Sequence, residues 1–186
     1  MTTIHVNELR ERLKAQVFLF EEEPVDIILL SDLESESFMG LTFSGGKKST
    51  TISPPRYYAT WLYISGKARF TQQDLYTQLL NAFKQQAPNF KIQELRENLL
   101  VEALAFLENY NTYDQFKEYV SDQERNRIQE TFYNLAIERL KRSLREVPTS
   151  DSKKVEKYLD DLEKPVFKEV YNILSVYFEA INMEDK

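Results

Sequence analysis

Cysteine is absent from the 186 residues. Its absence excludes disulfides, thiolate zinc sites and cysteine nucleophiles, and it suits a reducing compartment. Histidine occurs once, as His5. A lone histidine near a polar N-terminus cannot serve a Ser-His-Asp triad built on a core, nor a multi-histidine metal site. Solvent is its expected surrounding. No apolar run approaches the roughly 20 residues needed to span a bilayer. The opening MTTIHVNELRER is too polar and charged for a secretory signal. The expectation is a soluble, cytoplasmic protein with no membrane partner. Glycine is scarce: Gly40, Gly45, Gly46 and Gly66 are the whole set. A chain otherwise free of glycine points to long regular helices and few tight turns.

Acids are missing from one place. Between Phe38 and Gln73 there is no Asp or Glu, although the chain carries 30 of them. The same stretch holds Lys47, Lys48, Arg56, Lys67 and Arg69, a formal charge of +5 in a protein of net charge −6. It also collects Phe38, Phe43, Tyr57, Tyr58, Trp61, Tyr63 and Phe70, and all four glycines. A basic, aromatic island on an acidic protein is a departure that can mark a contact surface. The acidic remainder disfavours diffuse attraction to nucleic acid or anionic lipid, so any such binding has to be local.

The chain is the length of one domain, with apolar and aromatic content suited to a packed globule. Leu9, Leu13, Val17 and Phe20 make an apolar stripe that predicts a helix over 7–20, capped by Asn7 and stopped by Glu21-Glu22-Glu23-Pro24. Val25 to Leu30 reads as a buried strand. Residues 38–43 and 49–52, joined by Ser44-Gly45-Gly46-Lys47, read as a β-hairpin with Lys47 and Lys48 at its tip. Residues 54–65 have strand propensity, but a capping Ser53, prolines 54 and 55 and a trailing Gly66 favour a helix. From Thr71 onward the pattern is helical, over about 71–87, 91–110, 113–120 and 122–146. Capping boxes are expected at Thr71 with Asp74, Thr112 with Gln115 and Ser121 with Glu124. Over 152–182 the apolar spacing averages about 3.7, a straight helical stripe interrupted at Pro165. The fold class expected is α+β, mainly α: an N-terminal α/β subdomain (1–70) with a small β-hairpin or sheet, packed on a C-terminal helical bundle (71–186), together one compact domain.

Chemical motifs are weak. Gly45-Gly46-Lys47-Lys48-Ser49-Thr50 resembles a phosphate-cradling loop in composition only, because the spacing is wrong and no helix follows. Asp26, Asp32, Glu34 and Glu36 could cluster around a divalent cation through oxygen ligands, the basis of a carboxylate–metal enzyme reading. A solvated acidic loop is the plainer reading. Glu21-Glu22-Glu23 and Asp160-Asp161 are adjacent acids, which do not face each other on a helix and are read as solvated. Arg125, Arg127, Arg139, Lys141, Arg142 and Arg145 alternate with acids, the mark of a salt-bridge-laced surface. Residues 53–83 could form a helix–turn–helix, with Gln72, Gln73 and Gln78 able to read adenine.

Three readings of the acid-free stretch remain. Its rings can simply be core. They can be a protein-binding patch, since Tyr, Trp and Arg dominate interface energies, with Lys47, Lys48, Arg56, Tyr57, Tyr58 and Trp61 as the contact set. Or Lys47, Lys48, Lys67 and Arg69 can contact phosphates, with a ring stacked on a base. The function expected is a non-enzymatic adaptor or regulatory protein, with no cofactor and another protein as partner. The apolar strip of the last helix, including Phe167, Tyr171 and Leu174, also admits a homodimer.

Overall fold

The computed structural model describes residues 6–38, 40–71, 74–89, 91–146 and 152–184. His5, Gln72, Gln73, Pro148 and the linker at 149–151 lie outside them, as do the side chains of Tyr177, Phe178 and Ile181. The protein is α+β and mainly α, with eight helices and a small antiparallel sheet among the described residues.

The first helix, α1 (Val6–Glu22), turns Val17 and Phe20 inward and ends just before Pro24. Strand β1 (Ile27–Leu29) is short, β-branched and buried, with Ile27 and Leu29 almost inaccessible. It is the centre of a three-stranded sheet, flanked by β4 (Thr51–Ile52) and β5 (Ala68–Phe70). Both pairings are antiparallel, and Ile27 faces Ile52 on one side and Phe70 on the other.

The hairpin differs from the one expected. Its strands are β2 (Glu36–Phe38) and β3 (Leu41–Phe43), and the chain reverses at Gly40, whose φ of +81° suits a residue without Cβ. Residues 49–52 leave it to pair with β1 instead. The segment carrying Lys47 and Lys48 is therefore a loop laid against Leu33, which exchanges both backbone bonds with Gly46 at 2.8 and 2.9 Å. A Cβ on Gly45 would sit 2.1 Å from the Leu33 carbonyl, so that close approach requires glycine.

Residues 56–64 form helix α2 (Arg56–Ile64), with Tyr58, Ala59, Leu62 and Ile64 buried. Pro55 occupies its N-cap position, where a missing N–H costs nothing. Ser53 does not cap it; its hydroxyl donates to the Asp26 carboxylate. Burying side chains such as Leu62 and Ile27 contributes about 1.5–3 kcal/mol each. With Val25, Leu29, Leu33 and Ala68 they make the core of the sheet region.

The bundle follows as α3 (Leu75–Gln86), α4 (Leu99–Thr112), α5 (Asp114–Tyr119), α6 (Asp122–Glu146), α7 (Ser152–Glu156) and α8 (Glu163–Glu184). Asp74 is itself the N-cap of α3, accepting from the Thr77 N–H at 2.8 Å, rather than the third residue of a box opened by Thr71. Ser121 caps α6 by accepting from the Glu124 N–H. No side-chain cap from Thr112 is made, because Thr112 ends α4 and Tyr113 occupies the α5 cap. Leu79, Leu99, Leu100, Ala103, Ile128 and Leu135 fill the bundle core, which α1 joins through Val17 and Phe20. Pro165 falls in the first turn of α8, so the last segment is two helices.

Helix α4 begins eight residues later than the expected start near 91, for a reason that lies in α6. Arg139 is fully buried. Its Nε and Nη2 clasp both Glu163 oxygens at 2.8 Å, its Nη2 also donates to the Tyr158 carbonyl, and its Nη1 donates to the Gln93 carbonyl. Gln86, also buried, donates to the Lys91 carbonyl and accepts from the Gln93 N–H. Those backbone groups are held by side chains, and residues 91–98 stay irregular. Arg142 is buried as well and donates to the carbonyls of Ala87 and Asn89. The basic run of α6 is thus divided: Arg127, Lys141 and Arg145 are exposed and Glu138 pairs with Lys141 and Arg142, as a salt-bridge-laced surface would have it, while Arg139 and Arg142 hold the bundle together from inside. Asp160 likewise is buried, accepting from the Leu162 N–H at 3.0 Å and the Leu100 N–H at 3.4 Å. Burial pushes its carboxyl above the usual range.

Candidate protein-binding groove

The six residues expected to form one contact surface are divided by the fold. Lys47 and Lys48 are exposed on the loop, where Asp32 accepts from the Lys47 ammonium at 3.2 Å and from the Lys48 N–H at 2.8 Å. These bonds hold the Asp32 carboxyl below the usual carboxylate range. Tyr58 is 1% exposed; its hydroxyl donates to Glu36 at 2.7 Å and its ring stacks 4.0 Å from Phe43. Burial, then that bond to a carboxylate, pushes its phenol far upward. Arg56 is half-buried, with its guanidinium 4.0 Å over the Phe20 ring and 3.9 Å from Glu102. Tyr58 is thus packed within the protein, and the Arg56 guanidinium lies against Phe20 and Glu102.

Tyr57 and Trp61 stay at the surface, half-buried. The reason is the hairpin. Phe38 and Phe43 reach across to α2, and Phe38 lies 6.2, 5.4 and 5.6 Å from the rings of Tyr57, Tyr58 and Trp61. Such offset and edge contacts add about 0.5–1.5 kcal/mol per pair beyond burial. Much of the aromatic content of the acid-free stretch is thus a small core between hairpin and helix.

One side of that aromatic cluster is open. Phe38 and Leu41 of the hairpin, Tyr57, Thr60, Trp61 and Ile64 of α2, and Phe18 and Glu21 of α1 bound a groove of about 580 Å³, closed by Asn109 and Tyr113 at the end of α4. Its rim is apolar and exposed: Phe18 keeps 65% of its surface, Leu41 53% and Tyr113 46%. A smaller cavity of about 250 Å³ lies on the other side of Glu21, Thr60 and Asn109, between β5 and the bundle. Arg56, Glu102 and Arg69 border it.

Glu21 separates the two spaces. Asn109 donates to its Oε1 at 3.1 Å, and its buried Oε2 has no hydrogen-bond donor. Burial raises its pKa, while the Asn109 bond and the charge of Arg56 pull it back. Arg56 has the matching defect: its Nε is buried without an acceptor, and burial lowers its pKa.

The remaining expectations separate too. Of the four bases suggested for phosphate contact, Lys47 is paired with Asp32 and Lys67 with Glu36 at 3.4 Å. Arg69 projects from β5 at the small cavity, and Lys48 lies on the loop. Asp26, Asp32 and Glu36 each face a different partner, and no carboxylate cluster able to hold a metal ion occurs among the described residues. No helix among them is long and apolar enough to cross a membrane.

The groove is lined by rings, exposed aliphatic groups and the carboxylates of Glu21, Glu22 and Glu108. Sequence reasoning found Tyr57 and Trp61 but missed Phe18, Leu41, Tyr113 and Glu21. Phe18 carried a signal, since it stands off the stripe of Leu9, Leu13, Val17 and Phe20. Leu41 and Tyr113 carried none. No protein-family model matches the chain, and no curated protein matches it either.

Proposed function

We propose that the protein is a cytoplasmic, non-enzymatic adaptor or regulatory protein that binds another protein in the groove between α1, α2 and the β2–β3 hairpin. The observation that carries this reading is the ring of exposed apolar side chains, Phe18, Leu41 and Tyr113, around a concave wall containing Tyr57 and Trp61. Contiguous exposed apolar surface on a folded protein marks an interaction site, and aromatic anchors in a concave patch supply most of the energy of such contacts. The absence of cysteine supports a reducing compartment. The contact set is Phe18, Leu41, Tyr57, Trp61 and Tyr113, with the two loop lysines outside it. A nucleic-acid role draws less support, because ion pairs already occupy Lys47 and Lys67.

A displayed library of random peptides selected on the purified protein tests the reading. Enriched peptides are expected to lose about tenfold or more in affinity on Phe18→Glu and on Leu41→Glu. Both positions are exposed, so the fold should survive, as circular dichroism can verify. Failure to enrich any peptide, or enriched peptides indifferent to both substitutions, would overturn it.

A further inference from the structure

The groove is apolar in its walls but one-sided in its charge. Glu21, Glu22 and Glu108 line it, against Lys14 alone. Lys14 is already paired with Glu11 at 3.0 Å, on the outer face of α1. Glu22 and Glu108 make no ion pair within the described residues, and Glu21 has one oxygen without a donor. Arg56 approaches Glu102 and does not border the groove. Glu21, Glu22 and Glu108 thus put negative charge beside an apolar trough, with Arg56 acting on Glu21 from outside it.

We infer that the groove takes a segment of a partner protein that places a large apolar side chain on the Tyr57–Trp61 wall and a Lys or Arg beside Glu21, Glu22 and Glu108. This rests on the reading of the groove as a protein-binding site and adds the partner's chemistry to it. The apolar anchor supplies affinity by displacing water from Phe18, Leu41 and Trp61. The cation supplies selection, because an acidic segment would bring like charges together next to a surface that screens them poorly. This charge preference is opposite to the one a basic patch at Lys47 and Lys48 would have. Protonation enters on the same side. The groups facing Glu21 are Arg56 from α2 and Glu102, Glu108 and Asn109 from α4. With Glu21 held above the usual carboxylate range, a cationic segment should bind more weakly as pH falls through that raised value, and binding it should release protons.

The sole tryptophan of the chain, Trp61, lines the groove and reports its occupancy by fluorescence. Three tryptophan-free peptides of about twelve residues share two leucines and a phenylalanine, and differ in carrying lysines, glutamines or glutamates around them. The lysine peptide is expected to bind about tenfold tighter than the glutamine peptide, with the glutamate peptide weakest. The advantage should shrink between about 0.05 and 0.5 M salt and fall to within about twofold in a Glu22→Gln, Glu108→Gln double variant. Equal binding of the lysine and glutamine peptides would sink the charge inference and leave the groove reading standing. No response of Trp61 to any of the three, or binding that survives Leu41→Glu, would sink both.

Discussion

Two arginines drawn away from water, Arg139 fully and Arg56 in large part, differ in how their guanidinium groups are bonded. Arg139, in the bundle, has all three guanidinium nitrogens bonded: to both oxygens of Glu163, to two backbone carbonyls and, at 3.5 Å, to Gln86. Arg56, at the start of α2, has an orphaned Nε and its closest carboxylate 3.9 Å away. A guanidinium is withdrawn from water at least cost when all its donors are satisfied. Arg139 meets that condition and Arg56 does not. The first is a clasp joining α6, the 91–98 segment and the turn before α8. The second sits where the sheet region meets the bundle, beside the under-satisfied Glu21. Burial alone says little about the role of a charged group, and one orphaned nitrogen does not settle it: Arg142 is buried with an unpartnered Nε too, yet it ties α6 to the carbonyls of Ala87 and Asn89.

The comparison breaks most readily at Arg139. Its replacement by Met should cost about 3–5 kcal/mol, because Glu163 would lose its bidentate ion pair and keep only the Asp160 N–H, and the carbonyls of Gln93 and Tyr158 would lose the guanidinium donor. Arg139→Lys should recover little, since an ammonium cannot span both Glu163 oxygens and the carbonyls together. Urea midpoints measured at constant slope give the loss. A cost under about 1 kcal/mol would mean that the clasp is incidental.

Why Arg139 was invisible in the sequence is instructive. It lies in a run where Arg and Glu alternate, and alternation ordinarily means a solvated helix face. Its partners come from residues 86, 93, 158 and 163, four places that only the fold brings together. Elements with local causes were legible: the stripe of Leu13, Val17 and Phe20, the buried Ile27–Leu29, and the helix between Pro55 and Gly66. Elements with distant causes were not. The hairpin turned at Gly40 instead of Gly45-Gly46 because Thr51–Ile52 pairs with β1, a choice between two glycine-bearing turns that local pattern cannot make. The groove was half legible for the same reason. Tyr57 and Trp61 announced themselves by residue type, whereas the exposure of Leu41 and Tyr113 depends on where the hairpin and the end of α4 come to rest.

Glu21 offers a smaller test with a definite sign. Glu21→Gln should stabilise the protein at neutral pH by on the order of 1 kcal/mol, because it removes the cost of holding a charged carboxylate away from water. The folded protein holds this carboxyl above its ordinary value of 4.5, so the penalty is absent below that pH. It develops as pH rises from there through the raised value. The advantage of the Gln variant should therefore vanish in acid and be complete near neutrality, read from thermal or urea unfolding across that range. An advantage independent of pH would assign the effect to packing instead.

Arg56→Met should have the smallest effect of the series, within about 1 kcal/mol of zero, and the argument is the converse of that for Arg139. Glu102 keeps Arg96 as its ion-pair partner, so no carboxylate there is stranded. A methionine retains a flexible apolar contact with the Phe20 ring and removes the orphaned Nε. What remains is the loss of a positive charge that pulls the Glu21 pKa down. Any net destabilisation should therefore come from Glu21 and should disappear when Arg56→Met is made in the Glu21→Gln background, a coupling that a double-mutant cycle isolates. A loss comparable to that of Arg139→Met, persisting in the Gln background, would make the two arginines equivalent and erase the distinction between a fully bonded guanidinium and an incompletely bonded one.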